Sequence, residues 1–379
     1  MNRLPDFTTT EILSHVDHPE LTPRYRWRQR SMAKLALLSM LAGAHAYGQD
    51  VKHNMEREAS GTISVQEIAP ALDPRFDDYA IVALNGFATY DANEVATHQS
   101  PAFQQVTGAR IWSVSYGNAI LDHAGVATAI AEKARQEGVE RIAIHGYSTG
   151  SNIGTVTARH LIEETPLHVE AIYMVSAPAG YKGLQPDTRH GINMARNVLE
   201  YIPNAKYSSA VRFVLELIYR QDQYAQGSLL EQASDAIKTG DTIQEELDQK
   251  KFPGTWLLAD QALAIQDIQL ADEFQRIAAA VPHQTKPLIV YLGTDRPGHD
   301  YMVNDNYSAE KICQDAMAAG LTCLRRDVPG AVHTRPDIAV EAYQTTISTA
   351  LPFINFALQQ ERERVASVYV GSGRAMETR

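Results

Sequence analysis

From Tyr79 onward the chain alternates short, mostly apolar runs with longer stretches whose apolar residues recur at helical spacing. The runs are DDYAIVALNGF, GARIWSVSYGN, VERIAIHGYS, HVEAIYMVSAP, TKPLIVYLGT and LTCLRRDVPG, mostly rich in Val and Ile and each closed by Gly or Pro. Runs of that length with no polar alternation are the pattern of strands buried on both faces, as in a parallel sheet. Between them, Ala124 to Gln136 places Val126, Ala127, Ile130, Ala131 and Ala134 on one helical face, and Ser308 to Ala319 and Asp337 to Leu358 do the same. Strand and helix in alternation imply right-handed crossovers, and the predicted fold class is α/β, a mostly parallel doubly wound sheet.

One interval breaks the alternation. Gly180 to Lys286, between the fourth and fifth runs, holds no strand pattern but five helical ones: Ile192–Ile202, Ser209–Tyr219, Ser228–Ile237, Thr255–Ile265 and Ala271–Ala280. An insertion of this length exceeds ordinary connections in a compact domain, and reads as an all-helical cap. The predicted organisation is a leader over 1–47, a core over 48–179 and 287–360, the cap over 180–286, and a flexible charged tail over 361–379.

Within the leader, Arg24, Arg26, Arg28, Arg30 and Lys34 precede an uncharged run from Leu35 to Ala44, and Ala44-His45-Ala46 has a small-x-small form. Two readings stay open here: an export signal or short anchor, with membrane association through residues 24–46, and an amphipathic helix packed on the domain. The positive charges stand only on the amino-terminal side, which favours export; the alternative is a cytoplasmic protein.

With 379 residues and 44% hydrophobic composition the chain can bury a full core, and a net charge of −11 argues against a nucleic-acid surface. Cys313 and Cys323, the two cysteines, are too few for a disulfide framework; a single bridge competes with two buried thiols, and the thiols are favoured. No Cys/His cluster has metal-ligand spacing, and no cofactor is expected.

The chemistry is concentrated in Gly146-Tyr147-Ser148-Thr149-Gly150, between the third apolar run and a helix. Glycines at both i−2 and i+2 permit a sharp strand-to-helix bend with the Ser148 hydroxyl at its tip, and the Thr149 N–H at the helix start points where a carbonyl oxygen would become negative. A serine hydroxyl needs a base, and His333 stands in DVPGAVHTRPD after the last strand, on the same sheet edge. His145 lies inside a strand and reads as buried; His299 is a weaker candidate base. The carboxylate to orient the base is sought after the fifth run, where Asp295, Asp300 and Asp305 stand. The turn Asn85-Gly86-Phe87 could supply a second oxyanion donor, the Phe87 N–H, or be a plain strand-ending turn.

With these residues the chain resembles the α/β-hydrolase superfamily over roughly Tyr79 to Leu358, through the nucleophile elbow, the Asn-Gly-Phe turn, the order Ser148, Asp, His333, and the helical insertion. Asp300-Tyr301-Met302-Val303 is similar to the Asp-x-x-Val run of many members, which favours Asp300 over Asp295, with Asp305 remote. The resemblance implies an eight-stranded sheet and hydrolysis through an acyl-enzyme. The sequence departs from that pattern before Tyr79, where GTISVQEIAP leaves room for only a reduced set of antiparallel strands, and at Asn85, where many members have histidine. The expected function is a cofactor-free serine esterase acting on a small-molecule or lipid-like acyl substrate; the alternative is a non-catalytic binding protein on the same fold.

Overall fold

The structure, a computed structural model, describes residues 46–56, 62–87, 89–117, 121–202, 204–213, 238–243, 255–281, 285–294, 300, 302–331, 333 and 339–371. In chain order the elements are α1 (46–56), β1 (Ser64–Ala69), β2 (Tyr79–Leu84), α2 (Asn93–His98), α3 (Ser100–Thr107), β3 (Arg110–Ser115), α4 (His123–Glu137), β4 (Arg141–Tyr147), α5 (Thr149–Glu164), β5 (His168–Val175) and α6 (Pro186–Tyr201). There follow α7 (Thr255–Asp267), α8 (Leu270–Ala280), β6 (Leu288–Thr294), α9 (Asp305–Ala318), β7 (Cys323–Val328) and α10 (Val340–Gly371). All six apolar runs are strands.

The seven strands form one sheet in the order β1-β3-β2-β4-β5-β6-β7. Only the β1–β3 pair is antiparallel. All six β2 residues are buried, as a central strand covered on both faces requires. Among the described residues GTISVQEIAP supplies the one antiparallel strand, and the sheet has seven strands where the family pattern implies eight. Val126, Ile130, Ile153, Leu161 and Ile312 pack on one face, and Phe103, Tyr343, Ile347 and Ile354 on the other. β2 leads to β3 on one side and β4 to β5 on the other. The carboxyl ends of β2 and β4 therefore flank a crevice where the connections diverge, the place at which open α/β sheets bind ligands.

Three expectations are corrected. Leu270, Phe274 and Ile277 on α8, spaced i, i+4, i+7, are buried in the same cluster as the sheet and α5, and Glu273 accepts from Arg159 of α5 at 2.6 Å. α8 is thus a wall of the core. The segment from Glu361 is helical through Gly371: Arg364 pairs with Glu361, whose carboxylate also accepts from the Lys286 amide, so local charges hold a helix that charge density alone suggested would be loose. Finally, Cys313 and Cys323 form a disulfide. The short turn from α9 into β7 folds the strand back along the helix and brings the Cα atoms to 5.3 Å, within bridging reach.

Of the predicted cap, α6, α7, residues 209–213 and residues 238–243 are described; the pattern at Ser228–Ile237 lies outside the described residues, as do 24–45 of the leader. α1 docks on the segment that follows α6: Asp50 accepts from the Ser208 hydroxyl at 2.8 Å and Asn54 donates to Ser209 Oγ at 2.7 Å.

Candidate active site

β4 runs straight into α5, and Ser148 at the junction has φ 53° and ψ −130°, a strained conformation for a side-chain-bearing residue. The strain is held by its surroundings. The Ser148 amide donates to Val175 O at 2.7 Å, and Ser151 N donates to Ser148 O at 2.9 Å. A Cβ at Gly146 would lie 2.3 Å from the Ser151 Cα, and one at Gly150 would lie 2.4 Å from the Leu84 carbonyl oxygen, so only glycine allows this bend to seat against β2.

His333 and Asp300 complete a chain of hydrogen bonds. His333 Nε2 lies 2.9 Å from Ser148 Oγ, and His333 Nδ1 lies 2.6 Å from Asp300 Oδ2. Both side chains are only 2% exposed, so the pair works in a medium poorer in water than the surface. The other Asp300 oxygen accepts from the Met302 and Val303 amides at 2.8 and 2.7 Å, which fixes the carboxylate plane toward the imidazole. Asp305 sits in the first turn of α9 and accepts from Tyr291 Oη at 2.7 Å, a separate buried contact. Asp295 and His299 lie outside the described residues.

Asn85, Gly86, Phe87, Thr89, Glu94, Tyr147 and Met302 line a cleft above Ser148 and His333. The first turn after β2 is tightly built: Asn85 Oδ1 accepts from Gly86 N at 2.8 Å, and Tyr116 Oη donates to Asn85 O at 2.6 Å. Thr149 is the first residue of α5, where unpaired helix amides and the helix dipole favour negative charge. Among the described residues no group of three or more His, Cys, Asp or Glu is placed to hold a metal ion, and no helix is long and apolar enough to cross a membrane.

Two positioning residues left no trace in the sequence. Gln185, at the entry to α6, donates to Asp300 O and Val303 O at 3.0 and 3.2 Å, bracing the loop that carries Asp300. Gln261 of α7, fully buried, donates to Thr89 O at 2.6 Å and so ties α7 to the turn carrying Phe87. Each bond spans more than a hundred residues, beyond any local pattern.

His145, one residue before the bend's first glycine, is wholly buried; Nδ1 meets Ser100 Oγ at 2.9 Å, and Nε2 has no hydrogen-bond partner among the described residues. Burial pushes its pKa down to about 3, and that of His123, also mainly through burial, down to about 4. Unfolded, both titrate near 6.5. Below that pH the unfolded chain takes up protons that the folded chain refuses, so stability is present above about pH 6.5 and is lost as pH falls toward 4 and 3. Urea denaturation should show about 2 kcal/mol lost per histidine between pH 7 and pH 5. His145→Asn should flatten that slope; an unchanged slope would assign the acid lability elsewhere.

No family model matches the chain, and no curated protein matches it. Among solved structures, a thermostable carboxyl esterase from Bacillus coagulans is similar at 12% identity, over 79% of this chain and 96% of that one, with a TM-score of 0.51. A carboxylesterase structure from Nitrososphaera gargenis aligns over 79% and 97% at 12% identity and TM-score 0.47. An esterase from Exiguobacterium antarcticum aligns over 77% and 96% at 15% identity and TM-score 0.45. The sheet order, the single antiparallel pair, the strand-to-helix bend after β4 and the Bacillus coagulans likeness agree: the chain has the α/β-hydrolase fold.

Proposed function

We propose that the protein is a serine hydrolase that cleaves a carboxylic ester, or a related thioester or amide, through an acyl-enzyme. The observation that supports this reading is the unbroken hydrogen-bond chain from Ser148 through His333 to Asp300 at the floor of a cleft. In the proposed cycle Ser148 Oγ attacks the substrate carbonyl while His333 Nε2 takes its proton, and Asp300 holds the Nδ1–H tautomer and stabilises the imidazolium. The Phe87 and Thr149 amides receive the oxyanion, the imidazolium returns the proton to the leaving group, and water repeats the sequence to release the acid.

A fluorophosphonate reagent tests the reading directly. One adduct per chain, on Ser148, is expected; a folded chain that takes none would favour the non-catalytic binding protein instead. Turnover across esters of increasing acyl length then identifies the acyl group.

An exported location is proposed alongside. The Cys313–Cys323 bridge favours it, since structural disulfides persist in oxidising compartments, and the basic-then-apolar leader is of the matching kind. Sequencing the amino terminus of native protein should find a start after Ala46, or the intact chain should sediment with membranes. An intact chain in the soluble fraction would overturn it.

A further inference from the structure

The cleft above Ser148 carries a charge that the proposed cycle does not use. Glu94 stands in the first turn of α2 and lines the cleft, where no Asp, Lys or Arg accompanies it among the described residues. It is exposed, and it accepts no hydrogen bond and forms no ion pair with any other described residue. A carboxylate at the start of a helix complements the helix dipole wherever that helix lies; Glu94 does so beside the reacting groups. Its position is fixed from below. The Ala92 amide donates to Val114 O and the Tyr116 amide to Tyr90 O, both at 2.9 Å, which ties the approach to α2 to the end of β3, and Val95 and Ala96 next to Glu94 are buried.

We infer that Glu94 selects esters that carry an ammonium group, an inference that rests on the serine-hydrolase reading proposed above. The lining of the cleft is suited to a cation. Beside the carboxylate stand the aromatic rings of Phe87 and Tyr147 and the polarisable thioether of Met302, and an ammonium group is attracted to an aromatic ring as well as to a carboxylate. Tyr147 holds its ring centroid 5.8 Å from that of His333, so a cation drawn to this wall is held next to the base. A purely apolar acyl chain laid along Glu94 would strip its water and return nothing, which is costly. An anionic ester would be repelled, so the same carboxylate also rejects the wrong charge. An ammonium group replaces the displaced water with an ion pair. The net charge of −11 adds a field of the same sign at longer range, which raises the encounter rate of cationic esters. Glu94 thereby acts on which ester binds, while Ser148, His333 and Asp300 carry the chemistry.

Fluorophosphonates that differ only in ending in a trimethylammonium or a tert-butyl group, each made with a short and a long tether, test this at Ser148 itself. In the wild type the cationic reagent should label about tenfold faster than its neutral isostere at one tether length or both. Glu94→Gln should bring that ratio close to one, Glu94→Lys should invert it, and Glu94→Asp should keep the cation preferred. Each ratio is taken within one protein, so a weakened α2 that slowed both reagents alike would leave it unmoved. Salt provides a second measurement that needs no variant: between about 0.01 M and 1 M the Debye length falls from about 30 Å to about 3 Å, and the wild-type preference should shrink toward one. Labelling of the wild type by both reagents, in a ratio that neither Glu94→Gln nor salt changes, would overturn this inference and leave the hydrolase reading standing. A folded wild type labelled by none of the reagents would overturn both.

Discussion

Replacing Ser148 with alanine should abolish fluorophosphonate labelling and lower ester turnover by about a millionfold, to background, while the fold stays intact. The size of the loss follows from what the residue supplies. Without Oγ there is nothing to form the acyl bond, and His333 Nε2 loses the group whose proton it is placed to take. The strained backbone at position 148 is held by the bonds to Val175 and Ser151, which are main-chain bonds and survive the substitution, so thermal unfolding should move little. Labelling that persisted in Ser148→Ala would point to another nucleophile and remove the proposed mechanism. Labelling lost together with the fold would be read from Thr or Cys at the same position, which keep a nucleophile at the same bend.

Asp300→Asn should lower turnover by about ten-thousandfold with folding retained, whereas Asp305→Asn and Asp295→Asn should be mild. Asp300 uses one oxygen to accept from the Met302 and Val303 amides and the other to accept from His333 Nδ1. An asparagine would keep the loop by turning its carbonyl oxygen to those two amides, which forces its NH2 toward the imidazole. His333 would then be driven to carry its proton on Nε2, facing Ser148, and could no longer accept one. Asp305 can be exchanged more freely because the hydrogen bond from Tyr291 Oη is one that an amide oxygen can also accept. Single-turnover acylation rates of purified variants rank the three, and a larger loss at Asp295 or Asp305 than at Asp300 would reassign the acid.

How much of this could be read from the sequence depended on how local each determinant is. The central parallel strands were legible because burial on both faces writes itself as an unbroken apolar run, visible in YAIVAL and LIVYLG, whereas β7 at the end of the sheet, CLRRDV, is half-buried and was marked by its Pro-Gly exit. Ser148 and His333 could be assigned to one sheet edge because each follows directly on a strand. Asp300 could be separated from Asp295 by the family resemblance alone, since nothing in TDRPGHD itself decides which carboxylate returns to the sheet. α8 was assigned to the cap because an amphipathic helix has the same pattern whether its apolar stripe meets a sheet or a neighbouring helix; Phe274 and Ile277 choose only in three dimensions. The disulfide escaped for a related reason, since a ten-residue spacing says nothing about how sharply α9 turns into β7.

The bonds from α7 to the core bear on how such a protein could be re-engineered. Asp260 accepts from the Leu121 amide at 3.2 Å and neighbouring Gln261 donates to Thr89 O, while Leu257 is buried among the sheet's own residues. This helix lies in the long helical insertion by sequence position and in the core by its contacts. Exchanging the whole insertion for one from a relative, to graft a new substrate preference, would therefore strip a donor and an acceptor from the loops after β2 and β3 as well as changing the walls. A chimera that breaks the chain before Thr255 and keeps α7 native should preserve the turn at Phe87, whereas one that replaces α7 would need an amide donor at the Gln261 position before its catalytic rate could be attributed to the grafted cap.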